Sequence, residues 1–265
     1  MNIHKTPNIN YLWTNLIVEE FIRNGVEYFC ISPGSRSSPL AMAVAAYPKA
    51  KSFVHFDERG TAFHALGYAS AAKKPCVLIS TSGTAAANMF PAIIEASKKK
   101  VPLIVMTADR PPELRFTGGN QTIDQVKIFG DYVRWFFDLP CPTTDIKPEM
   151  ILTTIDQAVS KSKGELKGPV HINCMFRDPL SPARKEYRRA TYLSTLFTSP
   201  ERTPASPTEA ASLPSRTLPA SRLFSDADAQ RVTGLADKKQ LPLPTFIIRQ
   251  PAGKISPHRS GKARR

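Results

Sequence analysis

Val54-His55-Phe56-Asp57-Glu58-Arg59-Gly60 is the stretch where a strand turns into a helix. Residues 52–56 carry the β-branched and aromatic side chains of a short strand. From Arg59 to Ala72, the residues Ala62, Phe63, Ala65, Leu66 and Ala69 recur at helical spacing. Glu58 is therefore expected at the carboxyl end of a strand, which is where open α/β sheets bind their ligands. The helix start beside it favours an ionised carboxylate. An Asp/Glu pair that only complements the helix dipole is the plainer reading of this stretch by itself. The other strand ends tip the balance.

Working outward, residues 11–24 form an amphipathic helix closed by Gly25. The run 28–32 is a buried strand leading into Pro33-Gly34-Ser35-Arg36-Ser37-Ser38 and an Ala-rich helix over 40–46. Residues 76–80 make a third strand, followed by Thr81-Ser82-Gly83-Thr84 and a helix over 85–98. A fourth strand at 103–107 enters Asp109-Arg110-Pro111-Pro112. After an irregular segment at 118–121 and a short helix come a fifth strand at 134–138, a helix over 149–163 and a sixth strand at 170–174. Apolar strands alternating with helices predict one α/β domain over residues 1–180: a doubly wound, mainly parallel six-stranded sheet with helices on both faces.

Beyond that point the composition changes. Residues 186–265 hold 17 Ser and Thr, 9 Pro and only 3 Gly, so little apolar surface offsets the entropy of ordering. The tail 181–265 is expected to be disordered or out of frame, apart from possible single strands at 192–197 and 245–248. Residues 186–265 carry 14 Lys and Arg against 6 Asp and Glu, more than half of the net charge of +14. The sequence pI of 9.8 is thus mainly a property of the tail, not a nucleic-acid footprint of the folded part. A tail-mediated nucleic-acid binder would need interleaved aromatics that are missing here. Cys30, Cys76, Cys141 and Cys174 are far apart, and three of them lie in strand-like runs, which implies neither metal nor disulfides. Met1 to Lys5 has no apolar leader core, and no run reaches membrane-span length. A soluble protein of the cytoplasm, with no membrane or nucleic-acid partner, is expected.

Three strand ends bring polar loops to one edge. Ser35 and Arg36 with Gly34, before a helix, suit an anion, although an N-cap with a surface Arg accounts for the loop equally well. Thr81, Ser82 and Gly83 place small residues where a backbone must approach a ligand or a neighbouring helix. Arg110, stiffened by two prolines, suits a bidentate grip on a carboxylate, and Asn120 and Gln121 could add neutral donors. His55, His64 and His171 sit in strands and a helix, where structural roles are expected.

Six blocks in order carry a resemblance: residues 31–40, 55–60, 81–85, 107–114, 119–121 and 168–173. Together they resemble the N-terminal, pyrimidine-binding domain of the thiamine-diphosphate-dependent 2-succinyl-5-enolpyruvyl-6-hydroxy-3-cyclohexene-1-carboxylate synthases, the MenD family of menaquinone biosynthesis. The resemblance implies a transferase using thiamine diphosphate and Mg²⁺. It would decarboxylate 2-oxoglutarate and join the product to isochorismate, as a homodimer or homotetramer. Glu58 would then be the catalytic glutamate that hydrogen-bonds N1′ of the aminopyrimidine and favours its imino tautomer. Thr81, Ser82 and Gly83 would line the cofactor side. Ser35, Arg36, Arg110, Asn120 and Gln121 would bind the substrate carboxylates and hydroxyls.

Family members continue into a diphosphate-binding domain whose Gly-Asp-Gly…Asn motif holds Mg²⁺ and the cofactor phosphates, and no Gly-Asp-Gly occurs here. No metal ligands are assigned in this chain. The expectation is a truncated domain joined to an unrelated tail. Such a chain would act with a separate diphosphate-binding chain, or persist as a non-catalytic pyrimidine-binding fragment or dimerisation module. Apolar surface left bare by the missing domains predicts self-association.

Overall fold

A computed structural model describes residues 6–187 and 192–193 of the protein. Six strands form one sheet: β1 Tyr28–Ile31, β2 Lys51–Val54, β3 Cys76–Ser80, β4 Leu103–Asp109, β5 Phe136–Leu139 and β6 Val170–Met175. Their spatial order is β2-β1-β3-β4-β6-β5, and every pairing is parallel. The chain leaves β1 toward β2 and returns past β1 to β3. The crevice between the ends of β1 and β3 is therefore the topological switch point of the sheet.

Helices cover both faces, as a sheet of such apolar strands requires. On one side lie α1 Ile9–Arg23, α2 Ser38–Ala45 and α6 Pro148–Lys163, packing Leu12, Trp13, Leu16 and Ile155 against Phe29, Ile31, Ile79 and Ile172. On the other lie α3 Glu58–Ala72, α4 Thr84–Asn88 and α5 Phe90–Lys98, packing Ala62, Ala65, Ala69 and Ile93 against Cys30, Leu78 and Val105. Phe29 and Ile31 face one core while Cys30 faces the other, the period-two alternation of a strand. The three alanines let α3 lie close on the sheet.

Several boundaries differ from those expected. The helix over 85–98 is two helices, α4 and α5, broken at Met89, because Pro91 in the first turn of α5 has no N–H to give the preceding turn. The second strand stops at Val54, since His55 turns its Nδ1 to accept the Asp57 N–H at 3.1 Å. The fifth strand begins at Phe136, and Arg134 instead donates to the carbonyls of Ser97, Leu166 and Lys167. The short helix expected after residue 121 is a single 3-10 turn, Gly130–Tyr132.

Residues 177–187 return along the start of α1. Asn8 Nδ2 donates to the carbonyls of Ser181 and Ala183, and Asn10 Nδ2 to those of Arg177 and Pro179. Lys185 N–H reaches the Pro7 carbonyl at 3.0 Å. Tyr192 and Leu193 are buried against the α1 core and helical, unlike the strand expected there. Residues 194–197, the possible strand at 245–248 and the rest of the tail lie outside the described residues.

Candidate active site

Glu58 opens α3. Asp57 caps the helix by accepting the Gly60 N–H at 2.9 Å, which leaves Glu58 in the first turn and partly exposed at the sheet's carboxyl edge. Its Oε2 accepts a hydrogen bond from Asn88 Nδ2, at the end of α4, at 3.3 Å.

The loops after β1 and β3 meet at the switch point. A Cβ on Gly34 would fall 2.3 Å from Thr81 Cβ, so only glycine lets the two loops touch. Gly83 has φ +82°, and a Cβ there would come within 2.9 Å of the Gln121 carbonyl oxygen. Its N–H donates to Gln125 Oε1 at 2.8 Å. Thr81 and Ser82 are buried.

Arg110, just after β4, ties the loop after β3 to the segment carrying Asn120. Its Nη1 donates to Ser82 Oγ and its Nη2 to the Asn120 carbonyl at 2.7 Å. Arg36 is 8% exposed, with Nη1 donating to the Phe176 carbonyl at 2.8 Å and Nε lacking a partner. Burial first, and then the positive charge of Arg110, lower the Arg36 pKa from its ordinary value. Two guanidiniums in one field, one of them desolvated, favour an anion. Ser35 is exposed, and its carbonyl accepts the Ser38 N–H that starts α2.

The structure thus brings Arg36, Arg110, Ser82, Asn120 and Gln121 into one cluster with Gly34, Thr81 and Gly83. Glu58 stands beside it on the edge strand's side, and no hydrogen bond among the described residues links it to the arginines. Beneath the cluster is a network that sequence patterning did not single out. Arg115 bridges Asp109 and Asp138, and Asn173 donates to both carboxylates. Burial pulls the Arg115 pKa down, yet Asp138 and Asp109 hold it above its ordinary value. His171, sealed in the sheet, donates from Nε2 to Thr107 Oγ1 at 2.8 Å, since the Thr107 hydroxyl proton goes to Asn173, and burial lowers its pKa to about 3. It is a structural histidine.

A cavity of about 610 Å³ is lined by Phe90, Lys98, Lys127, Phe129, Tyr132 and Arg134, and neither Glu58 nor the Arg36–Arg110 cluster forms part of its wall. No three His, Cys, Asp or Glu side chains among the described residues are grouped to hold a metal. No described helix is long and apolar enough to cross a membrane.

Residues 13–128 match the family described as thiamine pyrophosphate enzyme, N-terminal TPP binding domain. The chain is 58% identical over 180 residues to the 2-succinyl-5-enolpyruvyl-6-hydroxy-3-cyclohexene-1-carboxylate synthase of Salinibacter ruber, covering 68% of this chain and 30% of that protein. The enzyme of the same name from Rubrobacter xylanophilus is 56% identical over 177 residues, covering 67% of this chain and 31% of the relative. This chain therefore spans about a third of the length of these relatives. Among solved structures, a 4-hydroxybenzoylformate decarboxylase of Rhodococcus jostii, described as thiamine diphosphate-dependent, superposes with a TM-score of 0.54 at 17% identity. The match covers 69% of this chain and 33% of that one, and it bears on the fold only.

Proposed function

Since the N-terminal part of this chain belongs to the family of thiamine pyrophosphate enzymes, we propose that its switch-point edge holds the pyrimidine half of thiamine diphosphate, with Glu58 as the carboxylate on the ring. The observation that carries this reading is the placement of Glu58 at the carboxyl edge, in the first turn of α3, with one oxygen tethered by Asn88 and the group still open to a ligand. The glycine contacts at Gly34 and Gly83 support it, because they let the loops after β1 and β3 and the segment carrying Gln121 close on one another at that edge. Bound thiamine diphosphate supplies the carbon nucleophile of its enzymes, and the protein's part is to bind, orient and hold the proton of the pyrimidine. Glu58 holds that proton at the ring nitrogen.

The substrate reading follows the charges. We assign Arg36 and Arg110, with Ser35, Asn120 and Gln121, to the carboxylates and hydroxyls of 2-oxoglutarate and isochorismate in the menaquinone-pathway carboligation that the family resemblance implies. A partly buried guanidinium pair is suited to dicarboxylic substrates. Mg²⁺ requires oxygen ligands such as carboxylates, and no three His, Cys, Asp or Glu side chains among the described residues are grouped to hold it, so this reading calls for a second chain or another part of the polypeptide to supply the metal and diphosphate site. A homodimer or homotetramer in the cytoplasm is the setting we infer. The alternative, a non-catalytic pyrimidine-binding or dimerisation module, is favoured by the same lack of a clustered metal site.

Calorimetric titration of thiamine diphosphate with Mg²⁺ into the 265-residue chain separates these readings. Saturable binding, weakened about tenfold in Glu58→Gln as expected for a charge-assisted hydrogen bond, supports the cofactor site. An absence of binding overturns it. Formation of the carboligation product from 2-oxoglutarate and isochorismate then distinguishes the enzyme from the inert module.

A further inference from the structure

Buried amide side chains are hydrogen-bonded in native proteins, and a fully satisfied one fixes whatever it touches. Gln125 is 1% exposed, and both ends of its amide are hydrogen-bonded. Its Oε1 accepts the Gly83 N–H at 2.8 Å, and its Nε2 donates to the Ala108 carbonyl at 3.2 Å and to Asn173 Oδ1 at 2.9 Å. A backbone N–H can only donate and a carbonyl can only accept, so the amide has one permitted orientation. Asn173 is satisfied in turn. Its Oδ1 also accepts from Thr107 Oγ1, and its Nδ2 donates to Asp109 Oδ2 at 2.9 Å and Asp138 Oδ1 at 2.8 Å. Asp109 Oδ1 accepts the Arg110 N–H at 2.7 Å.

The other end of this chain of contacts is at Gly83. That residue caps α4 with no side chain of its own, and φ +82° leaves it no alternative residue that would hold the turn without strain. The Gln125 acceptor is therefore the outside contact that holds the Gly83 N–H, where α4 begins. That helix is only five residues long, Thr84–Asn88, and its last side chain is the one that donates to Glu58. A displacement of the first turn is passed directly to Asn88. We propose that Gln125 is a positioning residue: by holding Gly83 it sets α4, and through Asn88 it aims the Glu58 carboxylate. The link to cofactor binding rests on the role assigned to Glu58 above, whereas the mechanical link does not.

Two measurements on the full chain keep those parts separate. In ¹⁵N NMR spectra of the cofactor-free protein, Gln125→Met removes the acceptor while keeping the side chain's length. Amide exchange at Gly83 and along α4 is expected to accelerate about tenfold as that turn opens locally, with the amides of β3 and β4 unchanged. The Asn88 side-chain amide signal is expected to shift as it does in Glu58→Gln. If Gly83 stays protected or the Asn88 signal stays fixed in a folded Gln125→Met protein, the proposal is overturned. Should that variant not fold, Gln125→Asn, too short to reach both Gly83 and Asn173, is read in the same way.

The second measurement is a double-mutant cycle in thiamine diphosphate affinity with Asn88→Ala, an exposed position. Each single substitution is expected to weaken binding several-fold, and the double variant to bind no more weakly than Asn88→Ala. Multiplicative losses would show that Gln125 does not act through Asn88. If the unsubstituted chain binds no cofactor, the cofactor reading fails and the NMR arm still decides the positioning.

Discussion

At Gly34 the contact with Thr81 leaves no space for a methyl group, since the nearest atom is the Thr81 Cβ itself and not the end of a flexible side chain. Gly34→Ala is expected to destabilise the protein by about 1–3 kcal/mol, the usual cost of overpacking. Thr81→Gly in the same chain should return part of that loss, and urea denaturation midpoints of the single and double variants test it. Equal midpoints for the two would mean that the loops part without strain. The placement of Glu58, Arg36 and Arg110 at strand ends was legible in the sequence because strand ends and loop composition are local signals. Gln125 was not legible. It sits in no periodic element, and its partners Gly83 and Asn173 are 42 and 48 residues away. Only the folded sheet brings those polar atoms together.

Among the elements, α1 and α6 meet through a buried acid. Asn24 Nδ2 donates to Glu20 Oε1 at 3.2 Å and to Asp156 Oδ1 at 2.7 Å, so the two carboxyl groups share one donor. Burial first, and then Asp156, raise the Glu20 pKa to about 8. The folded form thus prefers Glu20 protonated. Its contribution is complete below the ordinary value of 4.5 and is lost as pH rises through about 8. Glu20→Gln should therefore gain stability relative to the parent at alkaline pH but not near pH 4.5, measured as denaturation midpoints across that range. His171 acts with the opposite sign: its contribution is present above the ordinary 6.5 and falls as pH drops toward 3. Most element positions were readable from apolar periodicity, including β3, whose bounds match, and α1, whose Asn8 cap extends it by two residues. The α4–α5 break was not, because the apolar spacing runs through Pro91 and only the missing N–H interrupts it.

For the whole molecule, apolar side chains gather on the edge that carries Glu58. Phe56 is 89% exposed, Val54 57% and Phe63 47%, with Phe116 85% exposed on the loop after β4. Sedimentation velocity of the full chain over a range of concentrations is expected to show self-association. Phe56→Ser with Phe116→Ser should shift it toward monomer, and a monodisperse monomer for the parent at every concentration would contradict the expectation. The start of α1 behaves differently. There Pro7 and Lys185 are hydrogen-bonded neighbours, and Asn8, Asn10 and Tyr11 tie down the carbonyls of 177–183. Residues 7 and 185 thus share one doorway, remote in sequence but adjacent in space. A unit built this way can be grafted into a host polypeptide, or opened at a distant loop and rejoined here by a short bridge, without rethreading a single strand.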